Sequence, residues 1–262
     1  MTLPIFQGDA FTDEVFSGNP AAVVPLDKWL PDAVLQSIAA ENNLAETAFF
    51  VASKDAADFE LRWFTPTVEI DLCGHATLAS AFVLFTQLEW QRPVIHFSSQ
   101  SGSLSVKQSA GGYTLDFPAR VAQPVALPDG LEAALGQPVK SFSKAVAFMA
   151  VLEDEAAVRA VTPDFDYISK LDGDGLIVTA PGDHSDCVSR YFAPACGIDE
   201  DPVTGGAHCT LAPYWAGQLS KTGLHARQAS ARGGEMFVEV DGDRVKMTGK
   251  AVLFMNGFII NY

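Results

Sequence analysis

The chain has 262 residues, 17 of them basic and 32 acidic, which gives a formal net charge of −15. Hydrophobic residues make up 48% and charged residues 19%, a composition that excludes a disordered chain and allows a sizeable core. The negative charge argues against nucleic acid or an anionic membrane surface as a partner, because both would be repelled.

Predicted elements begin with strands at residues 4–8 and 20–25, which flank a turn at 17–20. A helix is predicted over 31–42, with Pro31 in its first turn and one apolar face. Further strands are predicted at 46–52, 59–64, 93–97, 103–108 and 113–117, and a second helix is predicted at 75–88. Because this second helix is apolar almost all round, we expect it to be buried on every side.

Two long stretches lack Asp, Glu, Lys and Arg, namely 72–88 and 202–220. Both contain His, Thr and Gln, and neither supplies the ~20 predominantly apolar residues of a membrane-spanning helix. Residues 1–13 have neither a basic region nor an apolar run, so we expect no secretory signal. The four cysteines form no CxxC pair, which favours reduced thiols in a cytoplasmic protein.

An internal repeat relates the two uncharged stretches. The segments 62–66 and 190–194 match at an offset of 128 residues, and 102–115 matches 234–247 at an offset of 132. The last two segments alternate apolar and polar residues around a turn, which predicts a hairpin in each copy. We therefore predict two related halves, residues 1–119 and 120–262, with the chain end able to cross back to the first half.

The fold class that follows is α+β. Each half is predicted to be a curved, mostly antiparallel sheet or barrel wrapped around one central buried helix.

Glycines precede or begin the buried helix in each half. Residues 71–77 contain Gly74, and residues 201–210 contain Gly205 and Gly206. Free N–H groups at a helix start bind anions, and glycine lets a ligand approach the backbone, so these positions suit a small carboxylate. The same glycines could equally serve only to permit tight turns before closely packed helices.

Two side chains near these starts could move protons. His75 is predicted in the first turn of a helix, where the helix dipole disfavours the imidazolium and favours a neutral ring. Glu46 opens an apolar strand, where desolvation would raise its pKa towards neutrality. Taken from the residues alone, a solvent-facing Glu46 is the simpler interpretation. The cysteine and histidine spacing fits no standard zinc pattern, and dinucleotide and P-loop motifs are lacking, so we predict neither a metal nor a nucleotide cofactor.

Four ordered motifs carry a family resemblance: residues 18–23, 43–49, 73–77 and 201–205. Together with residues 232–235 they resemble the phenazine-biosynthesis (PhzF-like) isomerase family over essentially the whole chain. The resemblance implies the diaminopimelate-epimerase-like fold, with an active site in a cleft between two pseudo-symmetric halves. It also implies a cofactor-independent, metal-free isomerase that forms a homodimer, and the characterised member isomerises trans-2,3-dihydro-3-hydroxyanthranilate.

The resemblance assigns roles to particular residues. The family's catalytic glutamate, histidine and aspartate match Glu46, His75 and Asp201. Its helix-start glycines match Gly74 and Gly205, and its turn asparagine matches Asn19. Cys73 and Gly206, which adjoin these glycines, are also predicted to bind the substrate. The family often has a serine where this chain has Gly206, so a hydroxyl contact to the substrate is missing or replaced.

Two other functions remain open at this stage. An amino-acid epimerase or racemase of the same fold uses one thiol from each half, and Cys73 stands where the first would be. The second half offers Cys209 only inside its helix, so this function ranks below the isomerase. A small-carboxylate-binding protein that kept the fold without catalysis is the third candidate.

Overall fold

The computed structural model describes residues 2–260 and 262. The elements up to residue 118 are, in chain order, β1 (Thr2–Ala10), β2 (Asn19–Leu26), α1 (Asp32–Asn42), β3 (Glu46–Ala52), β4 (Phe59–Phe64), β5 (Glu69–Ile70), α2 (Gly74–Thr86), β6 (Val94–Ser99), β7 (Gly102–Ser109) and β8 (Gly112–Pro118). The remaining elements are β9 (Gln123–Pro124), α3 (Leu131–Leu135), β10 (Ser141–Lys144), β11 (Phe148–Val151), α4 (Glu155–Ala160), α5 (Phe165–Ile168), β12 (Leu176–Pro181), β13 (Cys187–Ala193), β14 (Ile198–Asp201), α6 (Gly205–Leu219), β15 (Gly223–Gln228), β16 (Gly234–Asp241), β17 (Arg244–Gly249) and β18 (Ala251–Ile260). A short 3₁₀ turn, Pro194–Cys196, precedes β14.

The chain divides into two compact units. The first contains the residues up to Asp116 together with Met247–Tyr262, and the second is Phe117–Lys246. The last residues belong to the first unit because β18 pairs antiparallel with β1 over the length of both strands. The second unit is therefore shorter at its C-terminal end than the predicted half 120–262.

In the first unit, β1 lies between β18 and β2 with antiparallel pairing on both sides. Strand β2 then pairs parallel to β3, β3 antiparallel to β4, and β4 parallel to β6. The hairpins β6–β7 and β7–β8 follow. Helix α2 packs against β1, β2, β3, β7 and β18, and its residues 75–84 are all buried, as its apolar sequence predicts.

The second unit repeats this order of pairings. Strand β10 lies antiparallel to β9 and β11, β11 is parallel to β12, β12 is antiparallel to β13, and β13 is parallel to β15. Its own core is built from side chains of α3 to α5 and of strands β10 to β13, and α6 packs against β15 and β16. Both units thus contain one buried helix and mostly strands, the mixed α+β composition that the sequence predicts.

A hydrogen-bonding detail of the first unit involves Asp58, just before β4. Its backbone N–H donates to the carbonyl of His96 over 2.8 Å, and its carboxylate accepts from the His96 N–H over 2.9 Å. The carboxylate also forms an ion pair with Arg92. Asp58 therefore ties the start of β4 to β6.

The second unit has the same arrangement around Asp186, just before β13. Its N–H donates to the carbonyl of His225 over 2.8 Å, its carboxylate accepts from the His225 N–H over 2.9 Å, and Lys221 forms the ion pair. Matching polar contacts half a chain apart support the duplication inferred from the sequence.

One helix start differs from its prediction. Pro31 precedes α1 with φ −55° and ψ 141°, an extended conformation, so it caps the helix and is not in its first turn. Among the described residues, no helix combines the length and apolar character needed to cross a membrane.

Candidate active site

Three elements of the first unit begin next to one another and bring three polar side chains together. Asn19 begins β2, Glu46 begins β3, and His75 lies in the first turn of α2. The parallel pairing of β2 with β3 sets Glu46 opposite Ala21, two residues after Asn19. Asn19, Glu46 and His75 are all buried.

The turn before Asn19 requires glycine. Gly18 has φ +65°, and a Cβ atom there would lie 2.2 Å from the carbonyl oxygen of Ala10. Residues other than glycine rarely adopt a positive φ angle, and a Cβ atom essentially never lies 2.2 Å from another heavy atom. Gly18 therefore fixes where Asn19 enters β2.

The imidazole of His75 is the centre of this cluster. Its Nε2 lies 2.9 Å from Oε2 of Glu46, and its Nδ1 lies 3.1 Å from Nδ2 of Asn19. The thiol sulfur of Cys73 lies 3.5 Å from the same Nδ1. The side chains of His75 and Glu46 are only 5% and 9% exposed, so their charges are poorly screened by water.

The contact between Glu46 and His75 has the separation of an ion pair but not the alignment of a hydrogen bond. Neither Oε2 of Glu46 nor Nε2 of His75 has a hydrogen-bond partner of acceptable geometry among the described residues, although both atoms are buried. Buried polar atoms in this condition are rare in folded proteins and call for a functional reason. A carboxylate oxygen that keeps its lone pairs available is what a general base needs.

The sequence predicts a neutral His75 ring, and that prediction is wrong, because the pKa of His75 is raised. Burial lowers the pKa of His75, but the interactions of the ring with Cys73 and Glu46 outweigh burial, and the pKa is raised well above 6.5. The carboxylate of Glu46 is the group that supplies negative charge near neutral pH, because the Cys73 thiol is protonated there. A doubly protonated His75 ring has an N–H at Nδ1. The oxygen of the Asn19 amide can accept a hydrogen bond from it once the amide group is rotated by 180°.

Cys73 precedes α2 and is buried. Burial first, and then the charge of Glu46, raise the pKa of the Cys73 thiol to about 11. A thiol with that pKa carries almost no thiolate at neutral pH, so it is a poor base and a poor nucleophile. In the second unit burial likewise raises the pKa of Cys209 to about 11.

Donor atoms of Glu46, Cys73 and His75 lie within 4.8 Å of one another, which makes this cluster the group nearest to a metal-ligand set in the described chain. The sulfur contacts Nδ1 of the ring whereas the carboxylate contacts Nε2. A metal ion bound to Nδ1 would require the Glu46 carboxylate to move to that side of the ring. An ion bound to Nε2 would require the Cys73 sulfur to move to the opposite side. The absence of a metal cofactor stays a prediction.

In the second unit, Asp201 ends β14 and is buried. Its Oδ2 accepts a hydrogen bond from the hydroxyl of Thr204. The buried amide of Gln228 donates to the Asp201 carbonyl over 2.7 Å and accepts from the Thr204 N–H over 2.8 Å. Gln228 thus fixes the loop between Asp201 and α6, a role for which the sequence offers no local signal.

Helix α6 begins at Gly205, followed by Gly206. His208, in its first turn, is buried and contacts the carbonyl of Thr204 over 2.8 Å through Nδ1. Burial lowers the pKa of His208 to about 4, so the ring is neutral near pH 7.

The family described as phenazine biosynthesis-like protein (PhzC-PhzF) matches residues 8–257. The chain belongs to the PhzC-PhzF family. Two uncharacterized isomerases of Pseudomonas aeruginosa are 51% and 50% identical to it, over 98% and 99% of this chain and the same shares of theirs. These relatives confirm the predicted family and bear out the class, isomerase.

Solved structures of the PhzF family agree. A phenazine biosynthesis protein of this family from Enterococcus faecalis has a TM-score of 0.96 and 49% identity, with all of both chains covered. A hydroxyproline epimerase from Agrobacterium vitis reaches a TM-score of 0.64 at 13% identity, covering 98% of this chain and 92% of its own. That likeness confirms an epimerase-like fold and nothing more.

Proposed function

We propose that this PhzF-family protein is an isomerase that moves a proton on a small carboxylate-bearing substrate, similar to dihydro-hydroxyanthranilate, with Glu46 as the acid and base. The observation that carries the proposal is the buried Oε2 of Glu46, 2.9 Å from His75 and without an aligned hydrogen bond among the described residues. The family, and relatives named isomerases, supply the reaction class.

The proton-transfer step requires one group that is first a base and then an acid. Ionised Glu46 removes a proton from an activated ring carbon, and the protonated acid returns one at another carbon. No electrons are gained or lost. The His75 imidazolium stabilises the carboxylate form before the transfer, and Asn19 holds the ring through Nδ1.

The family resemblance assigns substrate binding to further residues. Asp201 and the glycines that begin α2 and α6, Gly74, Gly205 and Gly206, would bind polar groups of the substrate through side chain and backbone. We treat the two units as copies of one pseudo-symmetric fold, which the matched Asp58 and Asp186 contacts support. Homodimer formation stays a prediction, as does a cytoplasmic location.

The thiol chemistry of an amino-acid epimerase has less support. The Cys73 thiol has a pKa of about 11, too high for it to act as a base near neutral pH. Nothing in the arrangement of Cys209, buried inside α6, favours a second thiol acid.

The test is turnover of trans-2,3-dihydro-3-hydroxyanthranilate, or of another cyclic amino-carboxylate that is found to react. Glu46→Gln keeps the shape and removes the base, so the rate should fall by at least ~10²-fold. Glu41→Gln is the matched control, because Glu41 is an exposed residue of α1. Glu46→Gln with the activity of the unaltered protein would refute the assignment.

A further inference from the structure

A small cavity of about 60 Å³ lies in the second unit at the start of α6. Thr204, Gly206 and Ala207 from the start of the helix line it, together with the side chains of Arg120 and Tyr191. A cavity needs only about 10–15 Å³ to hold one water molecule, so this one has room for a functional group of a ligand.

Among the described residues that line this cavity, Arg120 has the only cationic side chain. Its backbone N–H donates to the carbonyl of Cys209 over 2.9 Å, which holds Arg120 against α6. Within the described part of the chain, the guanidinium takes part in no side-chain hydrogen bond or ion pair. By contrast, Arg62 and Arg190 each donate two hydrogen bonds to one glutamate.

Gly206 leaves the space beneath this guanidinium open. A Cβ atom at Gly206 would meet only Nη1 of Arg120, at 3.9 Å. Any larger side chain at this position would extend from the helix towards the cation. The absence of a side chain at Gly206 therefore keeps the Arg120 donors accessible from the cavity.

We propose that Arg120 binds the carboxylate group of a small ligand in this cavity of the second unit, above Gly206. The inference rests on the proposed function, which places Asp201 among the substrate-binding residues. Thr204 links the two, because its hydroxyl donates to Asp201 while the residue lines the cavity. A planar carboxylate matches the two parallel donors of a guanidinium, and charge-assisted bonds of this kind are roughly twice as strong as neutral ones.

The cavity also selects against a second negative charge. Asp174 is also among the lining residues, and its negative charge, in a chain whose net charge is −15, favours a singly charged ligand over a dianion such as phosphate. The ligand class is thus a small monocarboxylate. Positions 120 and 206 set this selectivity together, one by supplying the cation and the other by leaving room.

The test is calorimetric titration of the full-length protein with anthranilate, a stable aromatic monocarboxylate. Arg120→Ala should weaken binding by ten- to hundredfold, and Arg120→Lys by less. Gly206→Val, which fills the cavity without changing charge, should weaken it as well. Lys170→Ala is the control, because it removes an exposed positive charge from the same unit and should leave affinity unchanged.

Anthranilamide lacks the carboxylate, so the Arg120 variants and the unaltered protein should bind it with the same affinity. Equal anthranilate affinity in the unaltered protein and in a folded Arg120→Ala, with circular dichroism confirming the fold, would overturn the inference. So would the absence of anthranilate binding to the unaltered protein, or tighter, Arg120-dependent binding of inorganic phosphate. Because this titration measures binding alone, a failure here leaves the assignment of Glu46, tested by turnover, unaffected.

Discussion

Replacing His75 with Gln removes the partner of a buried carboxylate and keeps a polar side chain of similar size. The Glu46 side chain is 9% exposed and lies 2.9 Å from the imidazole, so the variant leaves a poorly hydrated charge without its counter-ion. Removing one member of a buried ion pair costs about 3–5 kcal/mol. Because the Gln amide can donate one hydrogen bond, we expect the lower end, about 3 kcal/mol.

For a chain of this size that loss corresponds to a melting temperature lower by about 6–12 °C at pH 6, measured by differential scanning calorimetry. The double variant Glu46→Gln, His75→Gln leaves no charge in this buried pair and should regain most of the lost stability. Glu46→Gln alone should cost less than His75→Gln, because a histidine without its carboxylate can lose its proton.

The pH dependence has a defined sign. The folded-state pKa of His75 lies above its ordinary value of 6.5, so its contribution to stability is complete below about pH 6.5. That contribution is lost as the pH rises through the higher folded-state value. The difference in melting temperature between the unaltered protein and His75→Gln should therefore become smaller at alkaline pH. A gap under about 2 °C at pH 6, or one that widens with pH, would refute the ion pair.

Two further predictions concern neighbouring positions. Gly18→Ala forces a Cβ against the carbonyl of Ala10, so it should lower the melting temperature and, through the displaced Asn19, the turnover rate; unchanged turnover would contradict this positioning role. Cys73→Ser should keep most of the turnover, and iodoacetamide should inactivate the unaltered protein slowly at pH 7, because the thiol is buried with a pKa of about 11. Rapid inactivation, or activity abolished by the serine variant, would favour the thiol mechanism.

Much of the fold could be predicted because its signals are local. The alternation of 102–115 and 234–247 predicts two hairpins, and they are β7–β8 and β16–β17. The uninterrupted apolar run predicts the buried α2. The short helices α3 to α5 have four to six residues each and carry too little periodicity to be predicted. Asp154 and Asp164 cap the last two through side-chain hydrogen bonds to Ala157 and Tyr167.

The candidate site was less accessible from the residues alone. The burial of Glu46 depends on the parallel pairing of β2 with β3, which no local pattern specifies. Without knowledge of that neighbour, the helix dipole pointed to a neutral His75, whereas the carboxylate raises its pKa. Gln228 and Arg120 have no sequence signal, because each acts on α6 from a distant segment of chain.

Proton exchange with solvent tests the central assignment most directly. In deuterium oxide, the unaltered protein should place solvent deuterium on a ring carbon of dihydro-hydroxyanthranilate during isomerisation, observed by proton NMR and mass spectrometry. Glu46→Gln should incorporate deuterium at least ~10²-fold more slowly, while Glu41→Gln and Cys73→Ser follow the unaltered protein. Incorporation that persists in Glu46→Gln and vanishes in Cys73→Ser would contradict the account and assign the proton transfer to the thiol.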